Sequence, residues 1–337
     1  MIFSESQPPQ LDTLDGLYAY LNGKFDRPQI PSLDEYLALD QTQRSELNSR
    51  RLDYVAGDLV INTPSIAAIV LDVQRALVAN RRKASGRFGV MISGASGMGK
   101  TTAALAAMRY AFSRYRAEVP QWESCGRLPI VYVEAPPSAS GKAVISRFAQ
   151  FLQLPVRNSD TLEALEAVVV AGLNAAGTRL VVVDELHNLS KTSPGNGQSV
   201  DVLKSLSNRI AATFVYSGIN IHSGPLLSGE RGQQIKSRYT PRVIRPFAIA
   251  NADDWKIWHG LIRSFEKELC LLNHHPGDLA EHARYLFDNT SGSIGNLARW
   301  LTSAAADLVV QEITPEDERL GIEQLAQFKP LIENHAA

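Results

Sequence analysis

Lys100 and Thr101 close a stretch whose glycines are spaced to wrap phosphate: residues 94–101 match G-x-x-x-x-G-K-[ST] at every specified position. Glycine takes left-handed dihedrals without steric cost, so consecutive backbone N–H groups can converge on an anion. The candidate phosphate contacts are Gly94, Ala95, Ser96, Gly97, Met98, Gly99, Lys100, Thr101 and Thr102. Within them Lys100 would reach the β and γ phosphates and Thr101 would ligate Mg²⁺. Further along, Leu180-Val-Val-Val-Asp184-Glu185 is a β-branched run ending in two carboxylates. Asp184 would hold Mg²⁺ through water, and Glu185 would orient and deprotonate an attacking water. The chemistry implied is hydrolysis of a nucleoside triphosphate with Mg²⁺ as cofactor.

A phosphate loop works only where a strand runs into a helix, because the helix N-terminus supplies open N–H groups. Both flanks comply. Arg87 to Ser93 is a short apolar run suited to a strand buried on both faces, and Ala103, Ala104, Ala107, Met108, Ala111, Phe112 and Tyr115 recur at helical spacing. From residue 87 onward strands (129–134, 179–184, 213–216) alternate with helices (142–152, 161–175, 200–211), the pattern of a parallel sheet sandwiched by helices. Upstream, the first thirty residues read as a proline-containing tail. Ser32 to Glu35 reads as a capping box, 44–54 as a helix, and Thr63-Pro64 as the start of a helix reaching Asn80. From Asp253 the pattern changes to amphipathic helices at 255–272, 279–288, 294–310 and 316–328. The expected division is an N-terminal tail and helical extension over 1–85, an α/β core over 86–248 and a helical lid over 249–337.

The composition is that of an ordinary globular chain: 337 residues, 45% hydrophobic and 20% charged. No apolar run reaches membrane-spanning length and no signal segment opens the chain, so a cytoplasmic location without membrane partners is expected. Cys125 and Cys270 stand apart from other ligand types and read as thiols packing as small hydrophobes. With a formal net charge of -1, contact with nucleic acid must come from a local basic surface.

At this point the chain resembles the AAA+ ATPases, and within them the TniB and TnsC group of transposition regulators, over about residues 60 to 310. Asp184-Glu-Leu-His-Asn-Leu189 looks like the D-E-x-H-N-L form of that group. His187 is expected to position this loop rather than to ligate metal. The resemblance implies an α/β AAA+ P-loop NTPase core with an N-terminal helical extension and a C-terminal lid. Phe214 to Asn220 looks like the sensor-1 region, with Asn220 and Ser217 both able to bond the γ-phosphate or the lytic water. Gln234 to Tyr239 resembles the segment carrying an arginine finger that acts on the neighbouring subunit's nucleotide. Arg238 is the first choice there, with Arg231 and Arg242 as competitors. Val60 and Ile61 fall where the fold contacts adenine. Ser291 to Leu297 looks like the sensor-2 turn, but Gly295 or Asn296 stands where arginine is usual; Arg299 one turn on is expected in a surface salt bridge, with substitution for the missing arginine as the alternative.

The same resemblance implies a homo-oligomeric ring or filament that grips double-stranded DNA through backbone contacts and links it to a transposase and to target-selection proteins. Ser138, Lys142 and Arg147 are the candidate DNA contacts, on and after a polar loop following the second strand. The alternative is an AAA+ ATPase of signalling or secretion that acts on protein partners without DNA. A small-molecule kinase is disfavoured by Glu185 and by the helical lid. Trp255, Trp258 and Phe265 share a helical stripe and read as core, and His274-His275, in a turn before Pro276, as solvent-facing.

Overall fold

The structure is a computed structural model describing residues 7–23, 26–57, 59–137, 140–189, 196–222, 233–234, 236–311 and 313–329, with 196–198 described by backbone alone. Its contacts group the chain into two units, one of residues 8–23 and 64–244 and one of residues 1–7, 24–63 and 245–337. Residues read as one N-terminal extension are therefore shared out between the two. No described helix is long and apolar enough to cross a membrane.

The first unit is built on a parallel sheet of five strands: β1 (Gly89–Ser93), β2 (Ile130–Glu134), β3 (Leu180–Asp184), β4 (Thr213–Gly218) and β5 (Tyr239–Val243), in the spatial order β2-β3-β4-β1-β5. Every residue of β1, β3 and β4 is buried. That is why their sequences run continuously apolar instead of alternating, as expected of parallel strands covered on both faces. The covering helices are α4 (Pro64–Asn80), α5 (Lys100–Glu118), α6 (Gly141–Phe151), α7 (Leu162–Ala175) and α8 (Asn196–Arg209). Parallel pairing brings the C-terminal ends of the strands to one edge: Ser93 lies beside Gly218, and Glu134 beside Asp184. β5 is absent from the sequence reading. It is an edge strand, buried at Tyr239 and open to solvent beyond it, and carries Pro241, which lacks the N–H that a central strand would need.

Residues 14–22 are not a loose tail. They form helix α1 (Leu14–Asn22), capped by the Thr13 side chain, with Leu17, Tyr20 and Leu21 buried. Tyr18 fastens it: its hydroxyl donates to the Ile130 carbonyl at 3.0 Å and accepts from the Ile130 N–H at 3.1 Å, while its ring stacks on Trp122.

The second unit is helical, with α2 (Leu33–Ala38), α3 (Gln41–Ala56), α9 (Ala252–Glu268), α10 (Ala283–Thr290), α11 (Ile294–Val310) and α12 (Ile322–Gln327). The Ser32–Glu35 capping box forms as expected. Trp258, Phe265 and Trp300 are buried in its core, and both indole N–H groups are satisfied, by the Ala283 carbonyl at 2.9 Å and the Leu325 carbonyl at 2.7 Å. Arg51 lies wholly buried, donating to the Cys270 carbonyl at 2.7 Å and pairing with Glu318. Three expectations change here. His274 is buried rather than solvent-facing, its ring 3.3 Å from Glu266 and 3.6 Å from Asp278, because two carboxylates make a polar niche for it. The last helix begins only at Ile322: Thr314 bonds Asp317 at 2.5 Å and closes a turn instead of opening a helix. Of the two thiols, Cys270 is buried but Cys125 is exposed.

Candidate nucleotide site

The phosphate loop leaves β1 under tight constraint. A Cβ on Gly94 would stand 2.8 Å from the Ile244 carbonyl oxygen, and the Ile244 N–H bonds the Ser93 carbonyl at 2.7 Å. Gly97 and Gly99 have φ of 71° and 79°, the left-handed region that side chains disfavour. Gly99 caps α5 without any side-chain bond, so the first-turn N–H groups of the helix have no side chain competing with an anion. Lys100 is buried, and its ammonium donates to the Ala95 carbonyl at 2.8 Å across the loop. Burial pulls its pKa down, while the charges of Glu185 and Asp184 oppose the shift.

Asp184, at the end of β3, is 1% exposed and fully used. Its Oδ2 accepts the Thr101 hydroxyl at 2.9 Å and the Tyr132 hydroxyl at 3.2 Å, and its Oδ1 accepts the Glu185 N–H at 2.8 Å. Thr101 and Asp184, distant in sequence, thus present a hydroxyl and a carboxylate at one point. Hard oxygen donors of this kind suit Mg²⁺. The open helix end, the left-handed glycines and a lysine held on a carbonyl suit a triphosphate, so the residues present fit both. Glu134 adds a third carboxylate nearby. Burial, followed by the charges of Glu185 and Asp184, raises its pKa.

Glu185 has φ 52°, a left-handed position for a residue with a side chain, at the start of the 3₁₀ turn Leu186–Asn188. That turn explains the form of the D-E-x-H-N-L segment. Leu186 and Leu189 are buried, and Asn188 donates to the Ala135 carbonyl beyond β2 at 3.1 Å. His187 Nδ1 lies 3.2 Å from Glu185 Oε2 and also receives the Ile219 N–H at 3.3 Å. A neutral ring can accept from Ile219, whereas bonding to Glu185 requires a proton on that same nitrogen, so the two contacts compete. Gly218 must stay bare here: a Cβ would meet Ile221 at 2.9 Å and the N atoms of Leu186 and His187 at 3.1 Å.

Of the two sensor-1 candidates, Ser217 is fully buried with no hydrogen-bond partner among the described residues, while Asn220 is exposed in the turn after β4 with φ 49°. Arg238 immediately precedes β5, its carbonyl accepts the Gly89 N–H at 3.1 Å, and its guanidinium donates to Asn208 at 2.9 Å. It therefore sits at the start of β1, about 16 Å of strand from the loop that follows Ser93. Arg242 is paired with Asp72, and Arg231 lies outside the described residues.

Among the proposed DNA contacts, Ser138 also lies outside the described residues. Lys142 donates to the Asn158 carbonyl at 2.8 Å, and Arg147 is exposed on α6. Val60 and Ile61 belong to the helical unit, and Ile61 is part of its core. Arg299 is exposed and forms no ion pair with a described residue. Sequence reasoning missed Tyr132 altogether. Its one signal was a hydroxyl-bearing ring in the otherwise apolar run Ile130 to Val133.

A family model described as Bacterial TniB protein matches residues 51–249. In fold, the chain is similar to the Orc1 protein of Aeropyrum pernix in complex with DNA (TM-score 0.59, 17% identity, 82% of this chain and 67% of that one). It is similar too to Cdc6p from Pyrobaculum aerophilum (TM-score 0.56, 12% identity, 82% and 70%). The ORC2 protein of Aeropyrum pernix in its ADPNP-ADP complexes gives a TM-score of 0.52 at 13% identity over 90% of this chain and 69% of that one. No curated protein matches the sequence. The TniB match spans more than half of the chain and contains both the Gly94–Thr101 loop and the Asp184-Glu185 pair; with its five-stranded parallel sheet of the AAA+ P-loop NTPase type, the chain belongs to the TniB family.

Proposed function

We propose that the protein is an ATP-dependent regulator of DNA transposition whose nucleotide site is completed by a neighbouring subunit. The observation that carries the ATPase reading is the junction at Asp184, where Thr101, Tyr132 and the Glu185 N–H meet one buried carboxylate beside Lys100. In this reading Lys100 and the open N–H groups after Gly99 bind the β and γ phosphates, while Thr101 and Asp184 hold Mg²⁺. The cation, when bound, neutralises charge on the transferring phosphoryl oxygens. Glu185 takes the proton of the attacking water, and His187 sets the orientation of that carboxylate. Either Asn220 or Ser217 senses the γ-phosphate. Arg238 lies at the far end of the sheet from its own loop, which supports a role toward a second copy rather than in cis.

DNA enters this reading through the TniB family and through likeness to an Orc1 protein solved with DNA. Arg147, exposed on α6, is the stronger of the described candidates for phosphate contact. Lys142 is already committed to the Asn158 carbonyl, which favours the second reading, an assembly ATPase acting on protein partners. Electron microscopy and sedimentation with duplex DNA separate the two. With a slowly hydrolysed ATP analogue the first reading expects assemblies on DNA of any sequence, weakening steeply with salt. Assembly that ignores DNA would overturn it in favour of the second.

A further inference from the structure

At the edge of the sheet opposite the phosphate loop, the first unit contains a cavity of about 470 Å³ between the C-terminal halves of α4 and α5. Its lining includes Arg81, Lys83, Arg87, Arg114 and Arg179 against one acid, Glu118. None of these five cations forms an ion pair with a described residue. Arg87 is anchored, donating to the Asn208 and Ala84 carbonyls, and Lys83 lies over the Phe88 ring, but Arg81, Arg114 and Arg179 are exposed. The ends of the two helices bring only about half a negative charge each. Together with Glu118 they leave most of the positive charge uncompensated.

The cavity is not merely basic. Leu77, Val78, Ala111, Val119 and Ile130 form its apolar wall, and Val78 is 61% exposed. We propose that this cavity binds an acidic peptide segment of a partner protein, with an apolar side chain against Val78 and Leu77 and carboxylates on the arginines. Four of the five cations are arginines, whose planar fork matches a carboxylate in two bonds. A DNA duplex is the less suitable occupant: it is too wide to enter a depression of this size, and its phosphates have no use for the apolar wall. The cavity lies within the usual range for sites that take small or locally inserted ligands.

The test uses the full-length chain and a fluorescein-labelled peptide of about twelve residues, half of them Glu or Asp, around a central Leu-Phe pair. Saturable binding is expected by fluorescence anisotropy. It should weaken at least tenfold in Arg114→Glu/Arg179→Glu, and comparably when the peptide acids become amides or its Leu-Phe becomes Ser-Ser. Both arginines are exposed, so the double variant should fold and bind a fluorescent ATP analogue like the parent, which shows that any loss is local. Failure of the peptide to saturate, or equal binding by parent and double variant, would overturn the proposal. So would loss of duplex DNA binding in the double variant without any peptide binding, an outcome that assigns the cavity rim to nucleic acid.

Discussion

Tyr132→Phe isolates one contact of the nucleotide site while leaving the ring in place. The Tyr132 hydroxyl donates to Asp184 Oδ2 at 3.2 Å, the carboxylate is 1% exposed, and Thr101 is the other donor to the same oxygen. A hydrogen bond to a charged group contributes about 1.5–3 kcal/mol, and the long distance here points to the lower end, about 1.5 kcal/mol. In a unit of this size that loss lowers the melting temperature by about 3–6 °C. The deficit should narrow when Mg²⁺ and ATP are added, because cation charge then compensates the carboxylate that Tyr132 served. Thermal unfolding with and without Mg-ATP reads both quantities. A cycle with Asp184→Asn should show that the Tyr132 effect disappears once the carboxylate is gone. An unchanged melting temperature in the nucleotide-free protein would refute the contact's energetic role. An equal deficit in both conditions would refute the placement of the cation at Asp184.

Two further outcomes concern the helical unit. Arg51→Met leaves Glu318 buried with the Leu272 N–H as its remaining donor and should cost about 3–5 kcal/mol, whereas Arg51→Met/Glu318→Leu should recover most of it. Burial outweighs Arg51 in setting Glu318, whose pKa is raised, which is why the pair adds little over an apolar substitute; additive losses in urea denaturation would contradict this. For Glu266, burial pushes the carboxyl up, but the nearby His274 ring and hydrogen bonds from the N–H groups of Leu279 and Gly277 hold it below the ordinary carboxylate range. A depressed pKa contributes stability that is present above the unfolded value of about 4.3 and lost as pH falls through the folded one. Melting temperature should therefore drop with acid below that value, and Glu266→Gln should flatten the slope; an unchanged slope would remove Glu266 as its source.

Much of the site was legible because its parts announce themselves by residue type. Gly94 to Thr101 and Asp184-Glu185 are short and continuous, and the β-branched runs around them cannot easily be anything but buried strands. Their juxtaposition was legible as well, since parallel strands place their C-terminal ends together. What escaped was set by tertiary neighbours. Tyr132 looks like another core aromatic until β2 lies beside β3 and aims its hydroxyl at Asp184. β5 was hidden by Pro241 and by the polar Thr240 and Arg242 beside it, all tolerable at a sheet edge. His274 was misread because a His-Pro turn is usually wet, and only the fold shows Glu266 and Asp278 closing over it. The helix at residues 14–22 was overlooked among prolines, although Leu17, Tyr20 and Leu21 already had helical spacing.

The proposal that a neighbouring subunit completes the site is tested most directly by mixing two variants, each expected to be inactive alone. Lys100→Ala lacks the phosphate contact but keeps Arg238; Arg238→Ala keeps its own Lys100, Thr101 and Asp184. ATP hydrolysis is measured for each alone and for an equimolar mixture under assembly conditions. If Arg238 acts on the nucleotide of the adjacent chain, the mixture should turn over ATP well above the sum of its parts, at sites pairing an intact loop with an intact arginine. A mixture no more active than that sum, or an Arg238→Ala protein that hydrolyses ATP like the parent, would contradict the intersubunit site.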